Sequence, residues 1–346
     1  MNVRALRLAS ASLLAAVALS GAAAAQDLTG AGATFPNPIY TKWFSDYATK
    51  TGVKINYQSI GSGGGIRQLT EGTVDFGASD APMSDAEIAK LKGPVFHIPT
   101  VMGAVVVTYN VPGVPSSLKL TGAVVADIFL GKITKWNDAR ITALNKGTAL
   151  PASDILVVHR SDGSGTTYIF SDYLTAVSPT WAQAPGKGKE LQWPVGLGGK
   201  GNEGVAGQVK QVPGAIGYVE LAYAKQNKLP YASIQNANGE FVEPTIESVT
   251  LAAAAKAKSL PADTDYRFSI VNAAGKGAYP ISSFTYLLVY QNQADAGKGK
   301  KLVDFIHWAL TEGEKSAAAL DYAPLPANMV TMLEKRLGQI KMVAMQ

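Results

Sequence analysis

Apolar positions along the chain switch repeatedly between a helical period and a strand period. Residues 36–52 carry Ile39, Tyr40, Trp43 and Tyr47 at helical spacing, and Gly52 ends the run. Residues 53–58 and 74–79 alternate as strands. Ser84 and Glu87 form a capping-box pattern ahead of a helix over 85–92. The run over 101–109 is apolar and β-branched, as a buried central strand requires. Helical patterns follow over 121–131 and 136–145, then a strand over 155–160. The helix over 166–177 is amphipathic, with Ile169, Phe170, Tyr173, Leu174 and Val177 apolar. Strands are expected again at 216–221 and 286–290, and helices at 245–258, 300–319 and 327–339. Gly- and Pro-rich stretches at 186–189, 196–204 and 273–280 read as loops, and no internal repeat is evident. Strands alternating with helices predict an α/β fold with mostly parallel sheets.

The first 25 residues depart from this pattern. Arg4 and Arg7 precede an uncharged stretch over 8–20, and Ala23 and Ala25 supply the small residues that a signal peptidase needs. The segment reads as a secretory signal peptide over 1–25, cleaved near Ala25 and Gln26. Roughly 320 residues then remain, enough for about two domains and a sizeable core. No later apolar run approaches the roughly 20 residues of a membrane span. Charged residues make up 16% against about 25% in an average protein. With 47% hydrophobic residues, the composition indicates a well-buried globular protein. The net charge of +5, two units of it from Arg4 and Arg7, is spread too thinly to be a nucleic-acid footprint. With no cysteine, the chain has neither disulfides nor the thiol that a lipid anchor uses. The expected location is the periplasm, as an unanchored monomer.

Four segments could carry chemistry. In the first, Gly30 and Gly32 precede Thr34, Phe35 and Pro36, so that Thr34 and the Phe35 amide fall at a helix start, where unpaired N–H groups favour an anion. An ordinary helix cap would read the same way. The second places Ser62 among Gly61, Gly63, Gly64 and Gly65, between a strand and a short helix at 66–70. It fits either an anion nest or a plain turn; no Walker pattern occurs in the chain. The third runs from Arg160 at a strand end through Asp162 to Ser164, Gly165 and Thr166 at a helix start. Asp162 is placed to pair with the guanidinium, and an arginine aimed at a helix N-terminus suits a tetrahedral oxyanion. The fourth is Asp80, two residues before Pro82, which taken alone is a turn former. His97, His159 and His307 fit no metal spacing, and His159 reads as a packing residue. No acid–base pair, nucleophile elbow or cofactor motif is present, so neither catalysis nor a cofactor is expected.

Seven segments in order carry a family resemblance: LTGAGATFP (28–36), GSGGG (61–65), VDFGASDAP (74–82), FLGKITKWND (129–138), RSDGSGT (160–166), WPVGLGGKGNEG (193–204) and PGAIGYVE (213–220). The chain resembles the periplasmic phosphate-binding proteins of high-affinity ABC phosphate transporters. The resemblance implies an α/β two-lobed clamshell, each lobe a sheet flanked by helices, joined by hinge strands. Lobe one would hold 26–110 plus 283–346, and lobe two 111–282. It implies a phosphate site made by Thr34, Phe35, Ser62 and Asp80 from lobe one, and Arg160, Asp162, Ser164, Gly165 and Thr166 from lobe two. The implied partners are inorganic phosphate and the permease subunits and ATPase of an ABC transporter. His159 departs from the family, whose members often carry a second basic residue there. Another oxyanion such as sulfate or molybdate, or an exported phosphatase, are the alternative functions.

Overall fold

The computed structural model describes residues 28–114, 117–257 and 265–343. The expected signal peptide, its cleavage point and the final residue of the helix expected over 245–258 lie outside the described residues. The strands are β1 Leu28–Gly32, β2 Ile55–Ser59, β3 Phe76–Ser79, β4 Val95–Tyr109, β5 Lys119–Leu120, β6 Leu156–Arg160, β7 Leu197–Gly199, β8 Ala215–Glu220, β9 Ser233–Gln235, β10 Phe241–Val242, β11 Ser282–Tyr290, β12 Asn292–Gln293 and β13 Lys341–Met342. The helices are α1 Asn37–Thr51, α2 Ser62–Glu71, α3 Asp85–Ile88, α4 Gly122–Phe129, α5 Ala139–Thr142, α6 Gly165–Val177, α7 Pro179–Gln183, α8 Gly201–Gln211, α9 Leu221–Gln226, α10 Ile246–Ala257, α11 Ala296–Thr311 and α12 Ala327–Leu337. None of the helices among the described residues is long and apolar enough to cross a membrane.

Eight strands form one sheet in the order β2-β1-β3-β11-β4-β8-β6-β7. β4 is its axis. Val95 to Ala104 pair with β11, whereas Val105 to Tyr109 pair with β8, so one strand serves two half-sheets. The flanks are parallel, as expected: β1 with β2 and β3, and β6 with β7 and β8. The centre is not. β11 runs antiparallel to both β3 and β4, and β4 runs antiparallel to β8. The expectation of mostly parallel sheets is therefore corrected to a mixed sheet, because β4 and β11 return through the middle of both parallel wings. All fifteen residues of β4 are buried, as its apolar run requires.

β4 extends six residues further back than its expected start, through Pro99. A proline cannot donate to a ladder and argues against a central strand. Here the register shifts, with Thr285 opposite Val101 and Tyr286 opposite Pro99. The bulge leaves Thr100, next to the proline, out of the pairing and so breaks the ladder at this point.

Other expectations are shortened or moved. The helix over 85–92 is reduced to α3, although its capping box is present. The helix over 136–145 is reduced to α5, capped by Asp138. The helix over 300–319 ends at Thr311, and two 3-10 turns follow. The stretch 196–204 is not a loop but supplies β7 and the start of α8. Gly63, Gly64 and Gly65 lie in the first turn of α2 rather than in a turn. The reason is close approach: a Cβ on Gly65 would sit 2.5 Å from Gly32 Cα and 2.8 Å from Ala78 O. Only glycine lets α2 rest directly on β1 and β3. Trp43, Trp136 and Trp181 are fully buried, and His159 stacks on Trp193 with ring centroids 4.7 Å apart.

Candidate functional site

The carboxyl-terminal ends of β1, β3 and β6 and the first turns of α2, α6 and α8 meet at one place. In open α/β sheets this is where ligands bind. All nine residues singled out in the sequence lie there. Thr34, Phe35, Ser62, Asp80, Arg160, Ser164 and Thr166 are each at most 3% exposed.

Asp80 follows β3 and is held on both sides. Its main-chain N–H donates to Ser62 Oγ at 3.1 Å, and its Oδ1 accepts from the Thr285 hydroxyl at 2.8 Å. Its Oδ2 is buried with no hydrogen-bond partner among the described residues. That oxygen is directed at the start of α6, since a Cβ on Gly165 would lie 2.5 Å from it and would also overlap Ser62 Oγ. Gly165 therefore permits a contact that no other residue could make. Burial raises the Asp80 carboxyl to about 7, against lowering by the Thr285 hydrogen bond and the Arg160 charge.

Arg160 ends β6. Its Nε and Nη2 donate to the two Asp162 oxygens at 2.8 and 2.5 Å, a bidentate pair. Asp162 also accepts from the Gly201 N–H at 3.0 Å. Burial opposes ionisation of Asp162, yet the guanidinium and the amide outweigh it and hold the carboxyl below its ordinary range. The remaining arginine nitrogen, Nη1, donates to Thr166 Oγ1 at 3.3 Å. Ser164 caps α6 by accepting from the Thr167 N–H at 2.9 Å. Helix geometry leaves the amides of Gly165 and Thr166 without intrahelical acceptors, at the positive end of the dipole.

Thr34 does not cap α1, whose cap position is Pro36. Its Oγ1 instead accepts from Asn202, and its carbonyl accepts from Tyr223 Oη at 2.6 Å. The Phe35 carbonyl accepts from Tyr322 Oη at 2.6 Å. The two sides of the cleft also touch directly. Gly63 N–H donates to Gly163 O at 2.8 Å, and Lys189 Nζ lies 2.7 Å from Glu87 Oε1.

Thr285, Asn202, Tyr223 and Tyr322 are structurally part of the site and are absent from the residues expected there. Asn202 lies within WPVGLGGKGNEG, so a signal was present. Thr285 sits in mid-strand, and nothing local marks it. Among the described residues no cluster of His, Cys, Asp or Glu could hold a metal ion.

Two buried carboxyls and the half-buried Glu314 carry raised values for the same reason, desolvation: Asp80 to about 7, Glu314 to about 8, and Glu220 well above its ordinary range. Between roughly pH 4 and 8 the folded chain thus binds more protons than the unfolded one, so folding stability falls as pH rises. In anion-free buffer the melting temperature is expected to decline from pH 5 to pH 8. Scanning calorimetry across that range checks it, and a rising curve would contradict the assignment.

A PBP superfamily domain matches residues 18–312. The phosphate-binding protein PstS of Xylella fastidiosa (strain Temecula1 / ATCC 700964) is 49% identical over 308 residues, covering 89% of this chain and 84% of that protein. The chain belongs to the PstS family. The Haemophilus influenzae PstS is 45% identical over 315 residues, covering 91% of this chain and 93% of its own. A high-affinity periplasmic phosphate-binding protein, PfluDING, solved with phosphate, has 21% identity and a TM-score of 0.71, covering 90% of this chain and 93% of its own. That likeness bears on the fold, which is the two-lobed one of periplasmic binding proteins. As a PstS-family chain, this protein has the mixed sheet with flanking helices expected of its relatives.

Proposed function

We propose that this protein binds inorganic phosphate between its lobes in the periplasm and delivers it to an ABC-type permease, without catalysing a reaction itself. Lobe one comprises 26–110 plus 283–346 and lobe two 111–282. The split pairing of β4, with β11 as far as Ala104 and with β8 from Val105, supports a division in which the chain passes from one lobe to the other near the end of this strand. The relatives named for phosphate binding support the ligand, and the cleft geometry supports the mode. Phosphate meets Thr34, the Phe35 amide and Ser62 from one side. It meets Arg160, Ser164, Gly165 and Thr166 from the other, with Asp162 holding the guanidinium in place. Lobe closure follows if phosphate binds the closed arrangement more tightly.

One observation carries the choice of anion: Asp80 Oδ2 is a buried acceptor with no partner among the described residues. Phosphate at neutral pH always keeps at least one O–H, which can fill that acceptor. Sulfate is fully ionised and would set an oxygen lone pair against it, leaving a desolvated carboxylate repelled. Sites that hydrogen-bond a substrate hydroxyl reject analogues lacking it by about 10⁴ or more. Titration calorimetry of the purified chain with each anion tests this at about pH 8.5, where the Asp80 carboxyl is ionised and phosphate still keeps one O–H. Phosphate should bind and sulfate should not compete; comparable affinities would overturn the phosphate reading in favour of a general oxyanion binder.

A further inference from the structure

Asn202, the second residue of α8, touches both sides of the cleft. It is fully buried. Its amide orientation is set by chemistry, because its Oδ1 faces the Glu220 main-chain N–H at 2.9 Å, a group that can only donate. The NH₂ group therefore faces Thr34 Oγ1 at 2.8 Å and Thr166 Oγ1 at 3.0 Å. Thr34 Oγ1 also accepts from the Asn202 main-chain N–H at 3.2 Å. Thr166 Oγ1 also accepts from Arg160 Nη1 at 3.3 Å.

A hydroxyl oxygen has two lone pairs and one proton. Each threonine thus receives two donors and has both lone pairs engaged. The only capacity left to either is to donate its proton. We propose that Asn202 is a positioning residue that fixes the hydrogen-bond polarity of the site, holding Thr34 and Thr166 as obligate donors toward the ligand. This rests on the oxyanion-binding reading above and extends it. Without Asn202, each hydroxyl could rotate to present a lone pair to the anion. With it, two donors from opposite sides of the cleft are set before the ligand arrives, which removes an ordering cost from binding.

The test compares Asn202→Leu, which removes both donors at similar volume, with Asn202→Asp, which turns donors into acceptors at the same shape. Each is made in the native chain and in a Thr34→Val/Thr166→Val background. Phosphate and sulfate are titrated into all of them, with circular dichroism and melting temperature as folding controls. In the native chain, Asn202→Leu should weaken phosphate binding about tenfold or more, and Asn202→Asp about a hundredfold or more. In the background without hydroxyls, Asn202→Leu should cost less than about threefold, because nothing remains to be oriented. Equal losses in both backgrounds would show a purely structural role and overturn the proposal, as would native affinity in either single variant. Should Asn202→Leu fail to fold, the uncharged Asn202→Ala, which also removes both donors, read in both backgrounds decides the matter in the same way. A native chain that binds sulfate instead of phosphate overturns the phosphate reading, while the same comparison, read on sulfate, still decides the role of Asn202. A native chain that binds neither overturns both.

Discussion

Asp80→Asn is expected to narrow the ratio of phosphate to sulfate affinity by about a hundredfold or more. The side chain is held so firmly that the substitution changes chemistry and little else. Thr285 donates to Oδ1, and Ser62 Oγ accepts from the main-chain N–H. An asparagine can keep its oxygen toward Thr285 and place its NH₂ where Oδ2 now lies. A donor then meets the anion in place of an acceptor. Sulfate gains a hydrogen bond and loses a repulsion, whereas the phosphate O–H loses its acceptor. Acid should mimic this in the native chain. The carboxyl is raised to about 7 by burial, so below that pH it becomes protonated and can donate. Sulfate affinity of the native chain should therefore rise as pH falls through about 7, and that of Asp80→Asn should not. Competition titrations at constant ionic strength read both effects. Undiminished rejection of sulfate by Asp80→Asn would refute the role given to Oδ2.

Arg160→Met should cost more than the loss of one cation, on the order of a thousandfold in phosphate affinity. The arginine is almost fully buried and its partner Asp162 nearly so, with side-chain exposures of 1% and 11%. Removing one member of a buried pair leaves the other uncompensated, at a cost of about 3–5 kcal/mol. Here the orphan is a carboxylate, and it would face the incoming anion. Adding Asp162→Asn to Arg160→Met should accordingly restore about tenfold or more of the lost affinity. The restoration separates local charge from folding, since neither variant alone improves binding. Calorimetry on the two single variants and the double variant measures the coupling. Losses that simply add would mean that Asp162 does not act through Arg160.

The extent to which the sequence forecasts this site follows from how local each signal is. The Arg160–Asp162 pair, the helix start at Ser164 and Gly165, and the Ser84–Glu87 capping box each lie within a few residues, and each is found in the structure. The central antiparallel arrangement is not local. β11 reaches β4 across about 180 residues of chain, and no periodicity records which neighbour a strand will choose. The helices expected over 85–92 and 136–145 are shorter in the structure for a related reason: apolar positions at helical spacing also serve irregular chain packed on the core. Asn202 and Thr285 escape notice because their importance lies in what they orient. A buried amide and a mid-strand hydroxyl acquire meaning only once Thr34, Thr166 and Asp80 are beside them.

The place of β11 bears on when the chain can fold. It is inserted between β3 and β4, both wholly buried, yet it is the last long strand to be synthesised. Until residue 290 has emerged, β3 and the first ten residues of β4 present apolar edges that nothing earlier in the chain can cover. Such edges invite pairing with other chains, and closing so long a loop is slow. The first lobe is thereby kept from locking during synthesis, whatever its local propensities. The deferred arrival of one central strand thus acts as a timer written into the topology.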